Sequence, residues 1–235
     1  MDMMKKTLAE SLPGLGLELP DAIQDQLCAF GHAMVKQNEV MNLTGITEDD
    51  QVAKLHLIDS LTVLKCADLK GKSLIDVGCG AGFPGVPTAI GCPEAKVTLL
   101  DSLAKRMNWL ETVLPQLGVQ NAECVTARAE EAVATRRESY DYATSRAVAR
   151  LNILLELTAP YVKVGGAVLA LKGAMAREEL EEAKSAISKL GLQVESVKDF
   201  TVDKDTVHTV IVLRKVRPTP AKFPRRYAKI KQAPL

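Results

Sequence analysis

The residues with the clearest capacity for chemistry lie in Gly78-Cys79-Gly80-Ala81-Gly82-Phe83-Pro84-Gly85, directly after the run Leu74-Ile75-Asp76-Val77. Glycines at such a place let the backbone turn sharply off a strand and approach a ligand closely. Two templates overlap here. Gly78, Gly80 and Gly82 form G-x-G-x-G two residues after Asp76, the loop type of adenosylmethionine-binding sheets. Gly80, Gly82 and Gly85 form G-x-G-x-x-G, the dinucleotide fingerprint of nicotinamide-dependent oxidoreductases. Register favours the first. The dinucleotide fingerprint begins where its strand stops, and this strand stops at Gly78, which would require a glycine where Phe83 stands. Pro84 and Pro87 also lie where a pyrophosphate-binding helix needs free N–H donors.

Asp101 closes the next apolar run, Val97-Thr98-Leu99-Leu100. A carboxylate there can accept hydrogen bonds from both ribose hydroxyls of a nucleoside cofactor, and it can equally cap the helix that follows. In Ala127-Arg128-Ala129-Glu130, a backbone N–H and a side chain could read adenine, although Glu130 also suits a helix's first turn. The substrate side falls to Tyr140-Asp141-Tyr142-Ala143-Thr144-Ser145-Arg146-Ala147. This segment has neither the Asn/Asp-Pro-Pro-Tyr/Phe pattern of exocyclic-amine methylation nor the cysteine that cytosine C5 methylation requires. Cys79 is expected to pack rather than react. His32, His56 and His208 are scattered in sequence and suggest no triad, while His56 and Asp59 could form a local helical pair. A target needing little acid–base help fits. Guanine N7 already offers a lone pair, so holding the reactants in line can supply most of the catalysis. Arg146 is the positioning candidate, as a donor to the base edge, the backbone or the cofactor.

These residues need a scaffold. Ile23, Leu27, Phe30, Met34 and Val35 recur at helical spacing over 20–40, and Val52, Leu55, Ile58, Leu61 and Leu64 do so from Glu48 until shortly before Lys70-Gly71. From Ser73 short apolar runs alternate with helical patterns. Strands are predicted over 73–78, 96–101, 122–127, 140–145, 166–172, 193–202 and 208–216, with helices near 86–91, 103–117, 129–136, 147–163 and 175–190. Such alternation makes a parallel sheet covered on both faces. The last two strands are joined through Asp203-Lys204-Asp205-Thr206, too short for a crossover, so they must pair antiparallel. The expected fold is α/β and Rossmann-like, with seven mostly parallel strands, an antiparallel last strand and an N-terminal helical extension. The expected division is a helical cap over 1–70, a catalytic domain over 71–216 and a tail over 217–235.

Composition supports a folded chain: of 235 residues, 47% are hydrophobic and 25% charged, which excludes disorder as a description of the whole. No apolar run approaches the roughly 18 residues of a membrane span. The start, Met1-Asp2-Met3-Met4-Lys5-Lys6, makes a poor secretory signal. Five cysteines without a C-x-x-C pair point to a reducing compartment, taken as the cytoplasm, and against a disulfide framework or a metal site. The net charge of +1 conceals an asymmetry. Eight bases and no acid lie between Arg214 and Leu235, and the other 22 bases and 29 acids leave the body at −7. A basic segment favours a polyanion, and Phe223 and Tyr227 within it could stack on bases; Pro218, Pro220, Pro224 and Pro234 equally suit a disordered solubilising tail.

Taken together, several segments resemble the bacterial small-subunit ribosomal RNA guanine-N7 methyltransferases, also called glucose-inhibited division protein B. They are Asn42-Leu43-Thr44, His56-Leu57-Ile58-Asp59-Ser60-Leu61, the Asp76–Gly85 loop, Thr98-Leu99-Leu100-Asp101-Ser102 with Lys105-Arg106, Ala129-Glu130, Ser145-Arg146-Ala147 and Leu171-Lys172-Gly173. The block before the glycine loop is the most specific, because generic class I methyltransferases lack it. The resemblance implies a class I fold with a helical cap. It implies methyl transfer from S-adenosyl-L-methionine to N7 of guanine 527 of 16S ribosomal RNA, in the decoding region. Without an obvious heptad seam a monomer is the default expectation, and the cysteine pattern gives no metal site. The resemblance places the cofactor at Gly78, Phe83, Ala129, Glu130 and Arg146, to which the loop and ribose arguments add Gly80, Gly82 and Asp101. The RNA-binding candidates are Lys105, Arg106, Lys172, Lys222, Arg225, Arg226, Lys229 and Lys231. A noncatalytic ribosome-assembly factor with a vestigial cofactor fold is the rival from another class.

Overall fold

The computed structural model describes residues 2–203 and 206–235. Lys204 and Asp205 of the predicted final turn, and Met1 of the predicted start, lie outside the described residues.

Seven strands form one sheet: β1 Ser73–Val77, β2 Lys96–Asp101, β3 Ala122–Thr126, β4 Tyr140–Arg146, β5 Val162–Lys172, β6 Leu192–Asp203 and β7 Thr206–Lys215. Their order is β3-β2-β1-β4-β5-β7-β6. β1 to β5 pair parallel, and β7 runs antiparallel to both β5 and β6. This is the expected α/β topology. The order reverses beside β1, so β1 and β4 part at their carboxyl ends and leave the crevice in which open α/β sheets bind ligands.

The N-terminal seventy residues are helical, as expected, with one helix the apolar periodicity did not single out. Met3–Ser11 is capped by Asp2, whose Oδ1 accepts from Met4 N at 3.0 Å. Asp21–Met41 ends at Asn42 in the left-handed region (φ 49°). Over 49–65 the chain stays helical, but Ala53–Ile58 is wound as a π-helix. One core joins these helices to a face of the sheet, with Met4, Leu27, Phe30, Met34 and Leu57 in the same cluster as Leu99, Met107 and Leu110. The other face packs against Leu151–Thr158 and Lys184–Leu190.

Two expectations are corrected. The helix predicted over 147–163 is confined to Leu151–Thr158 and a short 3-10 turn, because Ala147 has φ 57° and β5 already begins at Val162. The segment after β7 is a docked strap and not a free extension. Phe223 and Ile230 are buried in the second core, and Tyr227–Gln232 forms a short helix. Arg225 clamps the strap to Glu156, with Nε 2.8 Å from Oε1 and Nη2 2.6 Å from Oε2. The basic run is therefore partly neutralised within the fold: Arg214 pairs with Glu195, Lys215 with Glu138, and Arg225 with Glu156. Among the described residues, no helix is long and apolar enough to cross a membrane, and all five cysteines are free.

Candidate functional site

The glycine loop leaves β1 through three left-handed glycines, Gly78 (φ 75°), Gly80 (φ 57°) and Gly82 (φ 96°). Its turn is pinned from the neighbouring strand: Gly78 N and Cys79 N both donate to Leu100 O, at 2.7 and 3.1 Å. Gly80 N donates to Asp101 Oδ2 at 2.9 Å, while Asp101 Oδ1 accepts from Leu103 N at 2.9 Å. Each carboxylate oxygen therefore spends one lone pair on the backbone and keeps another for a ligand. The helix-capping and ligand-binding readings of Asp101 are compatible.

Asp76, at the end of β1, is wholly buried. Its Oδ2 accepts from Gly85 N at 2.7 Å, and its Oδ1 has no hydrogen-bond partner among the described residues. Burial pushes its pKa up to about 7, against the lowering effect of the Gly85 hydrogen bond. The bond also bears on the choice of template. Gly85 N, the leading donor of the helix Gly85–Gly91, is already satisfied within the protein and cannot serve a pyrophosphate.

A cleft of about 450 Å³ opens at the carboxyl ends of β1, β2 and β4. Of the predicted cofactor residues, Gly78, Gly80, Phe83, Asp101, Ala129, Glu130 and Arg146 all line it. Gly82 lies beneath: a Cβ there would meet Val86, Leu110 and Phe30 of the core. Gly82 therefore serves the close packing of the loop. A Cβ at Gly78 would sit 2.6 Å from Val148 Cγ2, so the cleft floor has space for glycine only. A glycine-lined floor with two half-satisfied carboxylate oxygens at one side suits a nucleoside-bearing cofactor. Arg106 also lines this cleft, as does Tyr227 from the C-terminal strap.

Arg146 occupies the centre. Its Nη1 donates to Asp59 Oδ2 (2.8 Å) and Leu55 O (2.9 Å), its Nη2 lies 3.3 Å from His56 Nδ1, and its guanidinium lies 5.1 Å from the centre of the Phe83 ring. The π-helical winding supplies one of these partners. Asp59 N donates to Lys54 O and His56 O, which leaves Leu55 O free to accept from Arg146. Asp59 is buried, and its Oδ1 accepts from His208 Nδ1 at 2.6 Å. Burial alone would raise its pKa, but the His208 hydrogen bond and the Arg146 charge outweigh burial and hold it below the ordinary value. His56 stacks on Phe83 at 5.0 Å, and its Nε2 lies 2.8 Å from Thr44 Oγ1. Burial, with the Arg146 charge, lowers its pKa to about 4, so it is neutral at neutral pH.

Two sequence expectations change here. The local His56–Asp59 pair does not form, because Asp59 is taken by Arg146 and His208. The histidines are also less scattered than their numbers suggest, since His56 and His208 converge on the Arg146–Asp59 pair. The structure adds a second cleft, of about 600 Å³, which shares His56, Arg146, Ala147 and Val148 with the first. Lys172, Glu179 and His208 lie along it. The sequence pattern did not reveal Glu179, which reads as one acid among several on a helical surface.

The remaining RNA candidates divide. Lys105, Lys222, Arg226, Lys229 and Lys231 are exposed, and Arg106 is half-buried at the first cleft. Lys172 is buried, which removes it from the surface to the second cleft. Arg225 is held by Glu156, and its expected phosphate contact is replaced by this internal clamp. Phe223 is likewise buried and unavailable for stacking on bases.

Comparison with known proteins agrees with this geometry. Residues 23–208 match the family model described as GidB, rRNA small subunit methyltransferase G. The chain is 42% identical to ribosomal RNA small subunit methyltransferase G of Alkaliphilus metalliredigens, covering 94% of this chain and 95% of that protein. It is also 42% identical to the protein of that name from Acetivibrio thermocellus, covering 99% and 97%. Among solved structures, M. jannaschii TYW2 in complex with AdoMet superposes with a TM-score of 0.56 at 14% identity, over 68% of this chain and 76% of that one. That likeness carries the fold. With matches at 42% identity over nearly the full length of both chains and the cleft where this fold places it, the chain belongs to the rRNA small subunit methyltransferase G family.

Proposed function

We propose that the protein transfers a methyl group from S-adenosyl-L-methionine to N7 of guanine 527 of 16S ribosomal RNA, in the decoding region of the small subunit. Methyl transfer to small-subunit ribosomal RNA follows from family membership. The atom and the nucleotide are the finer reading.

One observation carries the choice of N7. The buried acid nearest the junction of the two clefts, Asp59, is fully engaged by Arg146 and His208 and is held in its ionised form by them. An exocyclic amine loses a proton during methylation and needs an acceptor. Guanine N7 needs none, because its lone pair attacks directly. With Asp59 occupied and Arg146 held by its partners, the junction of the two clefts suits catalysis by orientation.

S-adenosylmethionine supplies the electrophilic methyl. The chain's own residues bind and orient. Asp101 offers its remaining lone pairs to ribose hydroxyls, Ala129 and Glu130 face the adenine end of the cleft, and Gly78 and Gly80 allow close backbone approach. Arg146 and Phe83 wall the point where the two clefts meet. The helical cap over 1–70 contributes His56, the domain over 71–216 the sheet, and the strap over 217–235 Tyr227 together with exposed Lys222, Arg226, Lys229 and Lys231 for RNA phosphates. The protein acts as a monomer, in the cytoplasm, without a metal.

The test is transfer of tritiated methyl from S-adenosylmethionine to small subunits that lack the modification, followed by borohydride–aniline mapping of N7-methylguanine. A single cleavage at guanine 527 is expected. Incorporation at another atom or nucleotide would overturn the target, and no incorporation into subunits, assembly intermediates or naked RNA would favour the assembly-factor alternative.

A further inference from the structure

The second cleft contains a polar pair that the cofactor reading does not use. Lys172 closes β5, with only 6% of its side chain exposed; its Nζ donates to Ala149 O at 2.6 Å and forms an ion pair with Glu179 Oε2 at 2.8 Å. Glu179 Oε2 accepts from Leu151 N at 2.7 Å. An ammonium has three protons, so one remains after these two contacts. The other carboxylate oxygen, Glu179 Oε1, makes no hydrogen bond among the described residues. Side by side, the pair thus presents one donor and one acceptor along a cleft whose walls include Ile46, Leu55, Val148 and Leu171. Apolar walls with an adjacent donor and acceptor are what an unstacked base requires.

The order of donor and acceptor selects the base. Guanine presents the O6 acceptor next to the N1–H donor. Adenine presents an N6 amine next to an N1 lone pair, the reverse pattern. We propose that this cleft receives the target guanine, with Lys172 donating to O6 and Glu179 Oε1 accepting from N1–H, and that the pair distinguishes guanine from adenine. N7 flanks O6 on the base and would then face the stretch His56, Arg146–Val148 that both clefts share. This rests on the methyltransferase reading above and names its specificity-determining residues.

The hydrogen bonds already in place make a sharp test possible. In Glu179→Gln, the side-chain carbonyl must take the Oε2 position, because Leu151 N donates there and the Lys172 ammonium lies 2.8 Å away, where an amide NH2 would be repelled. The amide NH2 is then forced into the Oε1 position, where it donates. Guanine's N1–H would meet a donor, whereas the N1 lone pair of 2,6-diaminopurine, which keeps N7, would meet a partner. The experiment compares single-turnover methylation of small subunits reconstituted with 16S RNA carrying guanine or 2,6-diaminopurine at the target position.

Wild-type protein should prefer guanine strongly, and Glu179→Gln should lower the guanine-to-diaminopurine rate ratio by about 100-fold or more, because a site built to hydrogen-bond a group discriminates strongly against its absence. Adenosylhomocysteine binding should be unchanged. Should Glu179→Gln fail to fold, Lys172→Met makes the same comparison: it removes the O6 donor, and the ratio should again fall. An unmoved ratio in a folded variant overturns the pocket while leaving the methyltransferase intact. A wild-type protein that binds adenosylhomocysteine yet leaves guanine N7 unmethylated overturns the N7 reading and this pocket with it.

Discussion

Arg225 offers the sharpest separation of a structural from an RNA-binding role. Its Nε and Nη2 donate to both oxygens of Glu156, which is fully buried, and Arg225 N donates to Oε1 at 2.9 Å. Arg225→Ala removes the two side-chain bonds to Glu156 together with a third, from Nη1 to Ala233 O at 3.0 Å, and leaves a buried carboxylate with one backbone donor. Breaking such a pair from one side costs about 3–5 kcal/mol. The surviving backbone bond places the expected loss near the lower end, about 3 kcal/mol. Because the clamp holds the strap, this appears first as local opening. Hydrogen-exchange protection over 219–232 should fall by roughly 100-fold, at about 1.4 kcal/mol per tenfold. The double variant Glu156→Leu/Arg225→Met removes both charges and fills the same space, so most of the protection should return, less the share of the lost Arg225–Ala233 bond. RNA affinity, measured by salt titration, should return with it. A phosphate contact by Arg225 would instead leave the double variant with its salt slope reduced by about 0.7–0.9. Unchanged exchange in Arg225→Ala, or a restored strap with lost RNA affinity, would refute the clamp.

Three further outcomes are expected. With the folded-state pKa of Asp76 raised to about 7 from 3.8, the native state binds more protons than the unfolded chain between those values, so stability falls as pH rises across that window. The loss is at most about 4 kcal/mol, and denaturant unfolding at pH 5 and pH 8 should show a steeper change in the wild type than in Asp76→Asn; parallel behaviour would refute it. Gly78→Ala places a Cβ 2.6 Å from Val148 Cγ2 at φ 75°, and calorimetry should show adenosylhomocysteine binding weakened at least about tenfold, with Val148→Ala recovering only the steric share. Replacing Lys222, Arg226, Lys229 and Lys231 by alanine should flatten the salt dependence of RNA binding without shifting Tm, since all four are exposed. Deleting 218–235 is the poorer experiment, because it would uncover the core beneath Phe223 and Ile230 and remove Tyr227 from the cofactor cleft.

Strand positions and topology were legible because β1, β2 and β5 are short apolar runs bounded by glycine, proline or charge, and because the final turn was too short for a crossover. The glycine loop and Asp101 were legible for the same local reason: residue type and register within thirty positions define them. The partners of Arg146 were not. Asp59 lies 87 residues from Arg146 and 149 from its other partner, His208, and only the packing of the cap on the sheet brings the three together. The strap was misread because Phe223 and Ile230 sit among prolines and bases, where two isolated apolar residues produce no periodic signal. Gly82 shows the opposite error. It completes a ligand-binding motif in sequence, but its space is taken by the core.

The π-helical segment explains why the cap and the sheet form one site. A regular α-helix would use Leu55 O to accept from Asp59 N, and Arg146 Nη1 would have to share that acceptor. Winding Ala53–Ile58 one residue wider sends Asp59 N to Lys54 O, frees Leu55 O, and lets Arg146 bridge Leu55 and Asp59. The register of β5 and β7 then sets the far side. Lys172 pairs with Thr209, so His208 follows at the end of the ladder and reaches the second oxygen of Asp59. A guanidinium so far from bulk water, with 17% of its side chain exposed, is costly unless its donors are satisfied. Here the carboxylate of Asp59 and the carbonyl of Leu55 accept from it, His56 Nδ1 lies 3.3 Å away, and the Phe83 ring covers it; the first three come from one distorted helix and the ring from the glycine loop. Helix distortion, strand register and ring stacking thereby converge on one immobile cation, and the junction of the two clefts is fixed before any ligand arrives.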